Sequence, residues 1–154
     1  MSEQRKDAAD TADREIFATR VFKAPRELVF RAWTEPEHLA HWWGPKGFTN
    51  AFFEFDLKPG GKWRFTMHGP DGVDYPNESI FVEIVKPERI VFRHLSAPHF
   101  VVTATFAGQE DKTILTWRML FETENARDAV ISKYNAAEGL KQNLDKLGEY
   151  LMKM

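Results

Sequence analysis

The 154-residue chain contains no cysteine, which excludes disulfides, thiolate nucleophiles and thiolate metal sites. A chain without cysteine suits a reducing compartment, so we expect the protein in the cytoplasm. Its 21 basic and 23 acidic residues nearly cancel, and we predict neither nucleic acid nor a membrane as a partner. Residues 1–13 are polar and lack the apolar run of a signal peptide or membrane anchor. We expect them to be a disordered tail, followed by one domain over residues 14–154.

Motifs of common catalytic centres are also missing. There is no Gly-x-Ser-x-Gly pattern, and Gly60-Gly61 lies between two strand patterns instead of opening a helix as a phosphate loop does. The histidines show no spacing typical of a metal-ligand set. His94 is a candidate general acid or base, but the sequence places no second acid or base beside it. We therefore predict no catalytic residue, no metal and no cofactor.

Aromatic residues, in contrast, are abundant. They make up 14% of the chain and include 13 phenylalanines and 5 tryptophans. Such side chains line ligand cavities as readily as they fill solid cores. The adjacent pair Trp42-Trp43 cannot share one face of a helix or strand, so an element other than the one that carries the pair must bury at least one of them.

Hydrophobic periodicity divides the chain into strands and helices. A first strand is predicted over Arg14 to Phe22, with helices over Pro25 to Trp33 and Pro36 to Trp42. Six further strand patterns follow, separated by short turns rich in proline and glycine. They cover Phe48 to Leu57, Lys62 to His68, Tyr75 to Val85, Arg89 to Leu95, Phe100 to Phe106 and Thr113 to Phe121. Such short connections predict an antiparallel meander.

Strand alternation predicts that one face of this sheet is aromatic and the other polar. A helix over Asn125 to Met152, capped by Asn125, is predicted to cover the aromatic face. Its apolar residues recur at spacings of three and four, as a packed helix requires. They are Val130, Tyr134, Ala137, Leu140, Leu144, Leu147 and Leu151.

Several local motifs occur along this pattern in a fixed order. They are Phe22-Lys23-Ala24-Pro25, Pro36-Glu37-His38-Leu39 with Trp42-Trp43-Gly44-Pro45, Pro59-Gly60-Gly61-Lys62-Trp63-Arg64-Phe65, His68-Gly69-Pro70-Asp71-Gly72 and Pro87-Glu88-Arg89-Ile90. With them the chain resembles the START-like superfamily and, within it, the activator of Hsp90 ATPase homologue family. The resemblance implies an α+β helix-grip fold, a curved antiparallel meander sheet wrapped around a long C-terminal helix. It also implies an internal cavity for apolar or aromatic small molecules.

Strand parity and this implied cavity together give the candidate ligand-binding residues. Trp63 and Trp117 are expected to face the cavity, with Trp42 and Trp43 at its mouth. The full set is Trp42, Trp43, Phe53, Phe55, Trp63, Phe65, Met67, Tyr75, Asn77, Phe92, His94, Phe100, Val102, Trp117, Met119, Tyr134, Leu140 and Leu144.

Three functions remain open on this basis. The favoured one is a non-enzymatic carrier of an apolar or aromatic small molecule, because aromatic residues are plentiful and catalytic groups are scarce. The second is a co-chaperone-like module that binds a chaperone and stimulates its ATPase, which would need an exposed apolar patch. The third is an enzyme, such as a cyclase or hydrolase of polyketide-like substrates.

Overall fold

The computed structural model describes residues 12–154. The helices are α1 (Arg26–Thr34), α2 (Pro36–Trp42), α3 (Glu124–Tyr134) and α4 (Ala136–Leu151). The strands are β1 (Glu15–Phe22), β2 (Thr49–Phe55), β3 (Lys62–His68), β4 (Asp74–Val85), β5 (Arg89–His94), β6 (Phe100–Gln109) and β7 (Lys112–Phe121). The predicted tail, residues 1–13, lies outside the described residues except for its last two, which enter a short 3-10 helix at Ala12–Arg14.

The strands form one seven-stranded sheet in the order β1-β7-β6-β5-β4-β3-β2. Every pairing is antiparallel, and strands β2 to β7 each lie beside their neighbour in sequence. This is the predicted meander, with β1 added beside β7 and with β1 and β2 at the edges. The α+β helix-grip fold class is therefore confirmed. Among the described residues, no helix is both long enough and apolar enough to cross a membrane.

The core lies between the inner face of the sheet and the helices. From α1 it receives Val29, Phe30, Ala32 and Trp33, and from α2 it receives Leu39 and Trp42. The α4 stripe of leucines is buried as predicted, at Leu140, Leu144, Leu147 and Leu151.

The C-terminal helix is two helices, so the prediction of one helix over 125–152 was wrong. Asn135 adopts the left-handed conformation, with φ 52° and ψ 47°, and ends α3. Asparagine is one of the few residues that tolerate this region. The break interrupts the predicted stripe, so Tyr134 and Ala137 are exposed, and Ala136 is half-buried in place of Ala137. Thr123, and not Asn125, caps α3, because its hydroxyl accepts the backbone N–H of Ala126 at 3.0 Å.

Phe53 was also assigned to the wrong face. Its neighbours Phe52 and Glu54 pair with Phe65 and Arg64, which leaves Phe53 as the extra residue of a β-bulge. A bulge breaks the alternation of period two. Phe52 and Phe55 therefore both pack against the core, whereas the side chain of Phe53 is 65% exposed.

Candidate functional site

A cavity of about 200 Å³ lies between the inner face of the sheet, the segment that follows α2, and α4. Twelve of the residues predicted from the sequence line it. Those from the sheet are Phe65, Met67, Asn77, Phe92, His94, Phe100, Val102, Trp117 and Met119, and those from the helical side are Trp43, Tyr134 and Leu140. The cavity is thus largely aromatic and apolar, with a few polar groups.

Trp43 and Trp117 form one wall of the cavity. Their rings are stacked, with centroids 5.2 Å apart and planes inclined by 16°. Trp42, the partner of Trp43 in sequence, has no exposed surface and donates its indole N–H to the carbonyl oxygen of Ala32 at 3.0 Å. The adjacent pair is therefore divided between two environments: Trp43 faces the cavity and Trp42 belongs to the core, not to the cavity mouth as predicted.

Trp63 does not line the cavity, contrary to prediction. Its ring lies behind those of Trp43 and Phe92, at centroid distances of 5.0 and 5.3 Å. Trp63 has the predicted strand parity, but the rings of Trp43 and Phe92 pack against its side chain and separate it from the cavity. Three more candidates lie outside the cavity, with Leu144 in the core, Phe55 packed against the core and Tyr75 in the cleft described below.

Asn143 of α4 holds the segment that carries Trp43. Its amide oxygen accepts the backbone N–H of Gly44 at 3.0 Å, and its amide nitrogen donates to the carbonyl oxygen of Trp42 at 2.8 Å. The side chain is only 6% exposed, so both bonds are shielded from water. Sequence reasoning missed Asn143, although an asparagine directly before Leu144 in the apolar stripe of α4 was a visible signal.

Small residues keep the helical side of the cavity open. Gly44 has φ 96°, a left-handed conformation that favours glycine, and a Cβ there would lie 2.8 Å from the Met67 side chain. A Cβ on Gly139 would lie 3.4 Å from Cγ of Pro45, so α4 approaches this segment closely. Ala136 completes this lining with another small side chain.

His94 forms the polar corner of the cavity. Its Nδ1 is 2.7 Å from the carbonyl oxygen of Pro98, and its Nε2 is 2.6 Å from Oδ1 of Asn77. The ring stacks on Phe100, with centroids 4.5 Å apart. Burial lowers the pKa of His94 below its usual value, because the charged form loses its hydration, and hydrogen bonding to the backbone of Pro98 and Ser96 opposes this shift.

Two more polar atoms of the cavity wall are buried, the hydroxyl oxygen of Ser79 and the indole nitrogen of Trp117. Neither has a hydrogen-bond partner within residues 12–154. Ser79 lies directly opposite His94 in the pairing of β4 with β5. Buried polar atoms without partners are uncommon in folded proteins and call for an explanation such as a ligand or water.

A wider cleft of about 640 Å³ adjoins the cavity and leads to the surface. Met67, Asn77, His94, Phe100 and Tyr134 are among the residues that line both spaces. The cleft is bordered by the start of β4, the turn at Ala97-Pro98 and the junction of α3 with α4. His94 and Asn77 therefore lie where the inner cavity meets the cleft.

The described part of the chain holds no cluster of three or more His, Cys, Asp or Glu residues that could bind a metal. The closest contacts of the His94 nitrogens are a backbone carbonyl and an amide oxygen, neither of which can serve as a general acid or base partner, and the Ser96 hydroxyl lies 3.4 Å from Nε2. The arrangement is suited to holding a molecule by shape and by a few hydrogen bonds.

The sheet, the covering helices and the aromatic cavity between them define a helix-grip domain of the START-like class. Solved structures share this fold. A protein from Arthrobacter aurescens has 22% identity and a TM-score of 0.85, covering 94% of this chain and 90% of its own. A protein from Nitrosomonas europaea has 23% identity and a TM-score of 0.83, with coverage of 92% and 96%. A protein from Rhodobacter sphaeroides has 24% identity and a TM-score of 0.82, with coverage of 93% and 95%.

The chain belongs to the family described as activator of Hsp90 ATPase homolog 1-like protein, whose sequence profile matches residues 23–152. A search of curated proteins gives no match. Membership of this family supports a ligand-binding or co-chaperone-like domain. It does not distinguish the two functions, so the distinction must be argued from the site.

Proposed function

We propose that the protein binds a small apolar or aromatic molecule in the cavity, acts without catalysis and works in the cytoplasm. The observation that carries this proposal is the volume of about 200 Å³ behind the stacked pair of Trp43 and Trp117. An apolar cavity of about 150 Å³ engineered into another protein stays dry and binds benzene. A space of this size and lining therefore suits a molecule of one or two aromatic rings.

The distribution of polar groups supports the same proposal. Ligand sites are mostly apolar, with a small number of polar groups that orient the ligand. Here the polar groups, His94, Asn77 and Ser79, lie on β5 and β4, and the aromatic wall of Trp43 and Trp117 belongs to other elements. This division gives an apolar molecule a place for its rings and one place for a polar substituent.

The test is a thermal-shift and calorimetric screen with naphthalene, indole and lauric acid. A ligand at about one hundred times its Kd should stabilise the fold by about 2.7 kcal/mol. Val102→Trp should fill the cavity and abolish binding, because Val102 is buried in its wall. Val82→Trp introduces the same side chain at a position that is 46% exposed, and should bind as the wild type does. The absence of binding by every compound would contradict the proposal.

A chaperone partner is the second candidate, and one observation favours it. Phe17 and Val21 share one face of the edge strand β1 and are 56% and 55% exposed. The guanidinium of Arg118 lies 5.5 Å from the Phe17 ring centre, which adds a cation to this apolar strip. An ATPase assay with a chaperone of the Hsp90 type would test it: stimulation should occur and should be lost in the double variant Phe17→Ser, Val21→Ser.

A further inference from the structure

We propose that the molecule bound in the cavity is a hydroxylated aromatic, a phenol, whose hydroxyl group donates its hydrogen to Nε2 of His94 and Oδ1 of Asn77 together. This inference rests on the proposed function and names the chemical class of its ligand. It is argued from the number of hydrogen atoms that His94 and Asn77 can contribute to their own contact.

The contacts of His94 bring two acceptors face to face. The Pro98 carbonyl oxygen, 2.7 Å from Nδ1, can only accept a hydrogen bond, and Oδ1 of Asn77 can also only accept, so the neutral ring has one hydrogen for two acceptors; we assign it to Nδ1. Nε2 then carries a lone pair, and it lies 2.6 Å from Oδ1 of Asn77. The Asn77 amide is fixed in this orientation because its nitrogen donates to the carbonyl oxygen of Tyr75 at 2.8 Å. Nε2 and Oδ1 are therefore two acceptors in contact, and neither group supplies a hydrogen to bond them.

Neither a proton from solvent nor a neighbouring side chain supplies this hydrogen well. A second proton on His94 would create a charge in a side chain that is 6% exposed, and burial opposes that charge. The Ser96 hydroxyl is 3.4 Å from Nε2, a long distance for such a bond. A donor that enters from the cavity is the remaining source.

A hydroxyl group fits this corner better than other substituents. Its hydrogen can be shared between Nε2 and Oδ1 in a three-centre bond, a common arrangement in proteins. Its oxygen can accept from the hydroxyl of Ser79, which is 1% exposed, lies opposite His94 and lacks a partner among the described residues. A carboxylate would set negative charge against two acceptors, and an ether would supply no hydrogen.

The position of the corner assigns the rest of the ligand to the inner cavity. His94 and Asn77 line both the cavity and the outer cleft, whereas Trp117 and Phe92 line only the cavity. Ser79 also lines only the cavity, so a hydroxyl group that meets both Ser79 and His94 comes from the inner side, with its rings against Trp117 and Phe92. The charged side chains of the cleft, Lys46, Asp74, Lys133 and Glu138, lie on the outer side of this corner.

Three matched probes test the proposal by calorimetry at pH 7.5: 2-naphthol, its methyl ether and 2-naphthoate. They share the ring system and differ only in the polar group. We expect 2-naphthol to bind roughly tenfold more tightly than the ether, the effect of one hydrogen bond to otherwise unpaired buried groups, and naphthoate to bind weakest.

Two variants then test whether His94 and Asn77 cause the difference in affinity between 2-naphthol and its methyl ether. His94→Phe keeps an aromatic ring to stack on Phe100, and Asn77→Leu keeps the side-chain size, but each removes one acceptor. In both, the ratio of naphthol to ether affinity should fall towards one. His99→Phe changes a histidine outside the cavity lining and should preserve the ratio. Circular dichroism establishes which variants fold, and either folded variant suffices for the test.

The outcomes separate this inference from the proposed function. Equal affinities for naphthol and ether in the wild type would overturn the hydroxyl assignment while supporting the cavity as a ligand site. Tightest binding of naphthoate would also overturn it, since His94 would then be charged. If all three probes fail to bind, the proposed function fails as well.

Discussion

The two ends of helix α4 meet the sheet in different ways. At its C-terminal end Leu144, Leu147 and Leu151 fill the space against the sheet and the other helices, and each is at most 8% exposed. At its N-terminal end the small residues Ala136 and Gly139 line the cavity. One helix thus supplies both a solid core and a pocket wall, and the size of its side chains decides which. Small side chains at Ala136 and Gly139 leave room for the cavity, and leucines fill the core further along the helix.

The largest loss of stability should follow a substitution at the C-terminal end of α4, which is packed in the core. Leu144→Ala should lower the free energy of unfolding by about 2 to 5 kcal/mol, because Leu144 is 1% exposed and its removal leaves a new void. Leu140→Ala is the matched change at the cavity end, where the side chain already borders empty space, and should cost less than half as much. Urea unfolding measures both. Equal losses would mean that the two ends are packed alike.

Asn143→Ala should be next in size, at about 2 to 3 kcal/mol. It leaves the buried N–H of Gly44 and the carbonyl of Trp42 without their partner. The variant should also loosen the segment that carries Trp43, so its affinity for 2-naphthol should fall. Gln142→Ala removes a neighbouring bond, to the backbone N–H of Lys46 in an exposed position, and should change stability by less than about 0.5 kcal/mol. We call the two hydrogen bonds from Asn143 to Gly44 and Trp42 the clamp. If the free energy of unfolding of Asn143→Ala stays close to the wild-type value, the clamp does not contribute to stability.

Lowering the pH should decrease the free energy of unfolding, because of His94 at the polar corner of the cavity. Because burial lowers the folded-state pKa of His94, the unfolded chain binds a proton at a higher pH than the folded one. The contribution of this group to stability is therefore fully present above the unfolded pKa of about 6.5, and it declines as the pH falls below that value. The difference in unfolding free energy between wild type and His94→Phe should shift by about 1.4 kcal/mol per unit of pKa displacement. A difference that stays constant between pH 8 and pH 5 would contradict this prediction.

The smallest change in stability is expected at the two glycines of α4, Gly139 and Gly148. Gly139→Ala and Gly148→Ala should each stabilise the helix by about 0.5 to 1 kcal/mol, since alanine has the higher helix propensity. In both cases the new Cβ lies 3.4 Å from its nearest neighbour, Pro45 for Gly139 and Phe22 for Gly148. Only Gly139→Ala narrows the cavity, so only this variant should bind 2-naphthol more weakly. Equal affinities in the two variants would show that Gly139 has no influence on the site.

Much of the fold could be predicted because it depends on local periodicity. The bounds of α2 and β3 agree with the prediction residue for residue, and the other elements differ mainly at their ends. The departures from local rules were missed. The bulge at Phe53 and the left-handed residue Asn135 each interrupt the regular spacing of inward-facing side chains, and the sequence carries no strong signal for either.

The site was harder to predict because it depends on contacts between distant segments. Strand parity places Trp63 and Trp117 on the same side of the sheet, but it cannot show that the ring of Trp43 covers one of them and stacks on the other. The clamp by Asn143 and the opposed acceptors of His94 and Asn77 arise only once separate elements have packed.

The clamp between Asn143 and the segment at Trp42 and Gly44 has a consequence for the order of assembly. The two partners are 99 residues apart along the chain at Gly44, so the contact is strongly non-local and cannot form before α4 is in place. During synthesis the sheet and the first two helices leave the ribosome before Asn143 does. The wall of Trp43 can be fixed only after α4 has been made and has docked, so a nascent chain has no finished pocket.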